Sequence, residues 1–321
     1  MLHDPLQATP TAETGSPAVA RTLAELVSAE VDGTPTPETD AFVAEIRRRH
    51  GASVRAVLYY GSCLRKGDAA EGVLDFYTVV DSYARAYRRS ALALSNAWLP
   101  PNVYYVELED GERTLRAKYN VISAADMSAC ARGRSLHAII WGRFSQPFRA
   151  LYARDDDSRE HVVEVAADSI RTMMALAADL EPAAAAKPED PDTARILWSR
   201  GLRETYATEL RTESGGTIDA LYDAARGRYD AASRLALDER SQGLGPKAPA
   251  AWQMRKRAAK SVYFFRLLKS AWTFGDWLPY ALWKFERHTG NHIELTPAQR
   301  AHPLVYGWPV IYRILRDKEL R

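Results

Sequence analysis

The stretch Tyr59-Tyr60-Gly61-Ser62-Cys63-Leu64-Arg65, followed by Leu74-Asp75-Phe76-Tyr77-Thr78-Val79-Val80-Asp81, constrains this chain more than any other. Two apolar runs rich in Val, Tyr and Leu read as strands. A Gly-Ser turn ends the first, and a carboxylate, Asp75, interrupts the second. Backbone N–H groups freed at a tight turn can hold phosphate oxygens. An acid on an adjoining strand can place a divalent cation against the same phosphates. A carboxylate inside an apolar strand is costly to bury alone, so Asp75 is expected to meet a cation or a basic side chain.

Around this pair the strand period continues. Residues 54–60, 73–80, 103–108 and 115–122 are four expected strands, with a helix over 84–96 between the second and third. Asp110-Gly111 marks a hairpin joining the last two. Together they describe a small mixed sheet with helices on one side. Upstream, Leu23, Leu26 and Val27 share a helical face within 18–30, and Gly33-Thr34-Pro35-Thr36-Pro37 reads as a break. Thr39 or Asp40 is expected to cap the helix whose apolar side is Phe42, Val43 and Ile46. Beyond Ser123 the chain reads as helix: 159–180, 193–212, 217–238 and a basic stretch over 255–274.

The expected fold class is α+β, a small mixed-sheet domain followed by a mainly helical one. The expected division is a flexible N-terminal segment at 1–38, the sheet domain at 39–125 and a helical domain at 126–250. Basic amphipathic C-terminal helices at 251–321 are expected to pack on the helical domain.

Candidate site residues are the polar side chains placed in apolar strands and at their ends. Gly61 and Ser62 form the phosphate turn, with Arg65 just beyond it. Glu107 stands in the third strand as either a second metal ligand or a solvent-face acid. Lys118 interrupts the fourth and either neutralises a phosphate or solvates an open sheet face. Asp81 reads as a strand-end or helix-capping acid. Asp155-Asp156-Asp157 directly precedes a helix and complements its positive end rather than binding metal. His288 and His292 have helical spacing, but Gly290-Asn291 between them argues against ligation.

The net charge of +2 hides a gradient. Residues 1–40 carry seven acids against one arginine, whereas residues 254–321 carry thirteen Lys/Arg against five Asp/Glu. An anionic partner is therefore expected at the C-terminal part. There, Phe264, Phe265, Leu267, Leu268, Ala271 and Trp272 span a broad arc, with Arg255, Arg266 and Lys269 opposite. That composition suits either a buried face or an interfacial helix on an anionic bilayer, with Arg266, Lys269 and Trp272 as its lipid contacts. The aromatics follow the period of a helix face rather than a stacking platform, so no nucleic-acid partner is expected. Two cysteines, Cys63 and Cys130, make no disulfide framework. No apolar run reaches membrane-spanning length, and no secretory leader is evident. The expected location is cytoplasmic, peripheral on the inner face of the membrane.

Tyr60-Gly61-Ser62, Leu74-Asp75-Phe76 with Val79-Val80-Asp81, Lys118-Tyr119, and Trp141-Gly142-Arg143-Phe144-Ser145-Gln146-Pro147 occur in an order that resembles the mitochondrial Tam41-type phosphatidate cytidylyltransferases. The likeness covers roughly residues 40–180. It implies a nucleotidyltransferase-like sheet domain and transfer of CMP from CTP to phosphatidate, giving CDP-diacylglycerol and pyrophosphate with Mg²⁺. It implies Gly61 and Ser62 as phosphate binders, Asp75 as metal ligand and Lys118 as a phosphate-facing cation. The chain departs from the pattern at Cys63 and Asn120, where Gly would stand, and at Gln146, where Lys would precede Pro. Val73 and Tyr77 flank Asp75 where nucleotidyltransferase strands carry a second acid. Two alternatives stand beside it: a nucleotidyltransferase with a soluble or protein acceptor, and a catalytically silent fold serving as a lipid-binding or scaffold module.

Overall fold

The computed structural model describes residues 20–67, 72–88, 90–111, 113–209, 215–273 and 296. The elements run α1 (Leu23–Ser28), α2 (Pro37–His50), β1 (Val54–Tyr60), α3 (Ser62–Lys66), β2 (Val73–Val80), α4 (Tyr83–Ala86) and α5 (Ser90–Trp98). They continue with β3 (Asn102–Asp110), β4 (Arg113–Ser123), α6 (Ala124–Ala131), α7 (Ile139–Phe144) and β5 (Arg149–Ala153). The remainder is α8 (Asp156–Leu180), α9 (Pro182–Ala185), α10 (Thr193–Tyr206), α11 (Gly215–Asp223), α12 (Arg226–Ser241) and α13 (Trp252–Thr273).

The strands form one mixed sheet in the order β3-β4-β2-β1-β5. β2 pairs with β4 in parallel, and the other three pairings are antiparallel. The central strands are buried on both faces, which is why their sequences are almost continuously apolar. Ala56, Leu58, Tyr60, Tyr77 and Val79 face a large core completed by α8, α10 and α12, including Val162, Ile170, Trp198 and Tyr229. Val57, Tyr59, Leu74, Phe76 and Val80 face a second core with Phe42, Val43 and Ile46 of α2 and Tyr83 and Tyr87. The result is an α+β protein with helices on both faces of a five-stranded sheet, not on one.

Several boundaries move for identifiable reasons. α2 begins at Pro37, with Thr36 as N-cap and a reciprocal Thr36–Thr39 capping box. The proline that reads as a break is instead at the first helical position, where its missing N–H costs nothing. The helix expected over 84–96 is two short helices, α4 and α5. β5 comes from a region that reads as helix, and it is held by antiparallel pairing of Tyr59 with Arg149 and Leu58 with Ala150. The N-terminal segment contributes α1, whose Leu23 and Val27 are buried together with Val31. A boundary at residue 125 runs through a single apolar cluster, since sheet and helical layer share the larger core. Asp155 caps α8 by accepting from Ser158 N at 2.8 Å, with Asp156 and Asp157 in the first turn.

The basic C-terminal helix is turned the opposite way from the expected interfacial one. Arg266 and Lys269 are buried. Arg266 donates to Pro100 O and meets His137 Nε2 at 2.9 Å; Lys269 donates to Leu99 O and, at 2.9 Å, to Pro101 O. The carbonyls of 99–101 precede β3 in a segment where prolines supply no N–H partners. These two side chains satisfy them, so neither is a lipid contact. The Trp272 side chain lies outside the described residues, as do His288, His292 and everything else in 274–295 and 297–321. Among the described residues no helix is long and apolar enough to cross a membrane.

Burial, reinforced by the nearby Arg266 charge, pushes Lys269 down from its ordinary 10.5 to about 7. Between pH 7 and 10.5 the unfolded chain therefore binds a proton that the folded chain does not, and stability rises with pH through that window. Urea midpoints of the wild type at pH 7 and pH 9 should show this rise. The Lys269→Met variant should lose that component of the slope. Identical slopes in the two proteins would refute the assignment.

Candidate functional site

The site is built from one row of paired residues across the sheet. Tyr60 on β1 pairs with Asp75 on β2, Asp75 with Lys118 on β4, and Lys118 with Tyr105 on β3. Residues paired across strands project to the same face, so the row faces the helical layer. Lys118 Nζ stands 2.9 Å from Asp75 Oδ1; their side chains are 28% and 17% exposed. Oδ1 is sealed from solvent, and Lys118 lies off the hydrogen-bond direction, so the contact is an ion pair and the oxygen carries no hydrogen bond. The cation required by a carboxylate in an apolar strand is thus a lysine in the middle of the parallel partner strand.

The turn abuts this pair. Gly61 has φ +96°, and a Cβ there would lie 2.7 Å from Asp75 Oδ2. Only glycine supplies both the backbone conformation and the space. Ser62 opens α3, whose first N–H groups have no helical acceptors. Arg65, exposed on α3, lies within electrostatic reach of Tyr229 in the helical layer, on the same side as Asp75. Gly61, Ser62, Asp75 and Lys118 are therefore brought together, with Arg65 at the margin.

The helical layer adds residues from the opposite side. The Arg143 guanidinium on α7 lies 4.8 Å from the centre of the Tyr60 ring and 3.5 Å from Glu209 Oε2. Burial opposes its charge, but Tyr60, Glu209, Tyr77 and Asp75 outweigh that and hold the guanidinium protonated more firmly than usual. Burial above all pushes the Tyr77 phenol up to about 12. Asn120 donates to Tyr60 Oη at 3.2 Å and to Phe76 O at 3.1 Å, which fixes the phenol beside Asp75. The departure from Gly at 120 thus has a structural use. Gln146, at the position where the resemblance would place a lysine, donates to Gly142 O at 2.7 Å and accepts from Tyr206 Oη at 3.4 Å.

One expectation is corrected, and Asp81 keeps its reading as a strand-end acid. Glu107 sits on the edge strand β3, opposite Arg116 rather than Lys118. Its Oε1 accepts from Tyr105 Oη at 2.7 Å and pairs with Arg116 Nε at 3.1 Å, so it is engaged away from Asp75 and is no second metal ligand. Asp81 lies at the far end of β2, in a two-pronged pair with Arg154 at 2.9 and 3.2 Å. Among the described residues no group of three or more His, Cys, Asp or Glu side chains could hold a metal ion. The single carboxylate Asp75, with an unbonded Oδ1, fits Mg²⁺ that arrives with nucleotide phosphates, because such ions take one or two protein carboxylates and complete their shell with phosphate and water. It does not fit an all-protein metal site.

Tyr60, Arg143, Asn120 and Glu209 shape the site; Tyr60 and Arg143 lie in the motifs that carry the resemblance and Asn120 at a departure from it, whereas nothing in the sequence around Glu209 signals it. No protein-family model matches the chain, and no curated protein sequence matches it. Fold and site alone therefore define the class: an α+β protein in which a sheet end presents one ion-paired carboxylate, a glycine turn and an arginine from the helical layer.

Gly61→Ala should destabilise the fold by roughly 1–3 kcal/mol, through positive φ and collision with Asp75. Part of the loss should be regained in the Gly61→Ala/Asp75→Ala double variant, where the collision is gone. Urea unfolding of the four proteins in the cycle measures this coupling. Strict additivity would mean that the turn and the carboxylate do not touch.

Proposed function

We propose that this chain is a Mg²⁺-dependent nucleotidyltransferase that moves CMP from CTP to phosphatidate, yielding CDP-diacylglycerol and pyrophosphate. The observation that carries the proposal is the Asp75–Lys118 pair lying directly against the Gly61 turn. A nucleotidyltransferase-like arrangement of the sheet, with the turn after β1 and the acid on β2, is part of the same reading.

The chemistry asks little in proton transfer. A phosphate monoester is largely ionised at neutral pH, its second pKa being about 6. One of its oxygens forms a bond to the α-phosphorus of CTP while the bond to the β-phosphate oxygen breaks, and pyrophosphate leaves with that electron pair. The site must hold two polyanions in line and offset their charge. The N–H groups after Gly61, with Arg65, are suited to the nucleotide's phosphates. Lys118 and Arg143 supply fixed positive charge beside Asp75. Asp75 would hold Mg²⁺, which supplies Lewis-acid polarisation of the phosphoryl oxygens when bound. Tyr60 and Asn120 keep Arg143 and Asp75 in register.

One observation favours a second reading. Asp75 has no acidic neighbour in its strand and is already neutralised by Lys118, as suits a silent fold that binds without turning over.

Purified protein incubated with Mg²⁺ and each α-labelled nucleoside triphosphate, with and without phosphatidate in mixed micelles, separates the readings. Lipid-extractable label from CTP is expected, reduced on the order of 10²-fold or more in Asp75→Ala and in Lys118→Met. Label on protein or on a soluble product would replace the acceptor. Absence of incorporation with every nucleotide would leave the silent fold.

A further inference from the structure

Seven large apolar side chains are exposed among the described residues: Leu94, Trp98, Leu136, Ile196, Leu244, Met254 and Phe265. All but Ile196 lie on α13, on segments bound to it, or on the stretch leading into it. Arg255 of α13 donates to Gly133 O at 2.6 Å and Ser135 O at 3.2 Å, and Arg266 meets His137, so Leu136 is held between two anchors. Arg266 and Lys269 grip the carbonyls of 99–101, which ties the segment directly after Trp98, the last residue of α5, to this helix. Along α13 itself Met254, Arg257, Ser261 and Phe265 are all exposed and recur at helical spacing. The inward arginine and lysine thus turn a mixed stripe outward, Met254 and Phe265 with Arg257 and Ser261 between them. Trp98 is 76% exposed, Met254 69% and Leu244 56%, and it is their grouping on and around one helix, not any single exposed side chain, that is informative.

At one end of the stripe lies a groove of about 730 Å³ between the 132–134 and 244–247 segments. Its floor is a closed charge network: Arg132 with Asp168 at 2.6 Å, and Arg171 with Glu239 at 2.6 Å and Asp168 at 3.0 Å. Gly245 has φ +82°, and a Cβ there would lie 2.9 Å from Arg171 Cδ, so the wall rests directly on the floor. Four cations and two carboxylates line the groove. Among the described residues no carboxylate pairs with Arg134 or Lys247, nor with the exposed Arg257 on the adjoining helix.

We propose that this face docks on an anionic bilayer. A lipid phosphate enters the groove against Arg134 and Lys247, while Trp98, Leu136, Leu244, Met254 and Phe265 reach the interface. Unpaired cations beside exposed aliphatic and aromatic side chains are the composition of interfacial binding, and a tryptophan at the margin suits the headgroup level. A nucleic acid would want a row of exposed aromatics along a basic track, whereas most of these side chains are aliphatic. The choice of a bilayer as occupant rests on the proposed lipid-phosphate reading. The binding itself involves neither nucleotide nor Asp75.

Co-sedimentation of the full chain with phosphatidylcholine vesicles, with and without phosphatidylglycerol, tests it. Wild type should pellet only with the anionic vesicles. At about fivefold for each basic side chain, Arg134→Gln/Lys247→Gln/Arg257→Gln should lower partition on the order of 10²-fold. Trp98→Ser/Phe265→Ser should lower it severalfold, and the control Arg48→Gln/Lys187→Gln much less than the triple variant. Asp75→Ala should pellet like wild type, so a failed turnover assay with intact sedimentation refutes the chemistry and spares the face. Equal pelleting with neutral vesicles, no pelleting, or equal loss in the control overturns the face. Loss in the triple variant without loss in the Trp98/Phe265 pair overturns it in favour of a site for soluble polyanions, and release of vesicles by single-stranded RNA overturns it in favour of nucleic acid.

Discussion

Two strands that are buried on both faces set the terms for the rest of this structure. β1 and β2 contribute Leu58, Tyr60, Tyr77 and Val79 to one core and Val57, Tyr59, Leu74 and Phe76 to the other. Such strands cannot fold until both faces are covered, and most of the remaining chain supplies that cover. α2, α4 and α5 close one side; α8, with α7, α10 and α12 around it, closes the other. Against this background Asp75 is the exception that needs explaining. A carboxylate placed in a doubly covered strand must be compensated, and the parallel register with β4 brings Lys118 to it. Structural demand and candidate chemistry therefore meet in the same two side chains.

The parts legible in the sequence are those whose cause is local. The central strands are readable because double burial writes itself as continuous apolar residues, and β1 and β2 begin and end where the pattern does. Asp75 and Lys118 are readable because each interrupts such a run. β5 is not. Arg149-Ala150-Leu151-Tyr152-Ala153 holds no β-branched residue, lies at a sheet edge and is strand only because β1 offers it a partner. Pro37 misleads because the same residue can end one helix or begin another, depending on the residues around it.

Long-range causes leave no trace in the pattern. Glu209 reaches Arg143 across sixty-odd residues from the turn after α10, and nothing near position 209 announces it. α13 is the clearest case. Its sequence shows an apolar arc and a basic arc, and periodicity alone says nothing about which one faces inward. The deciding partner is a run of proline-flanked carbonyls at 99–101, more than 160 residues away. Glu107 illustrates the converse: an acid in a strand looks available as a ligand, and only the hairpin register sets it opposite Arg116.

The shared core also bears on how anything reaches Asp75. In enzymes whose site lies between two separately packed bodies, a hinge can open and admit reactants. Here the layer above the sheet and the sheet itself contribute to one continuous apolar cluster, from Leu58 and Tyr77 to Val162, Ile170 and Trp198. Lifting the upper layer would wet that cluster, at a cost comparable to unfolding part of the domain. The ceiling is welded to the floor. Traffic must pass through the open end of the sheet, where the Gly61 turn and α3 form the threshold.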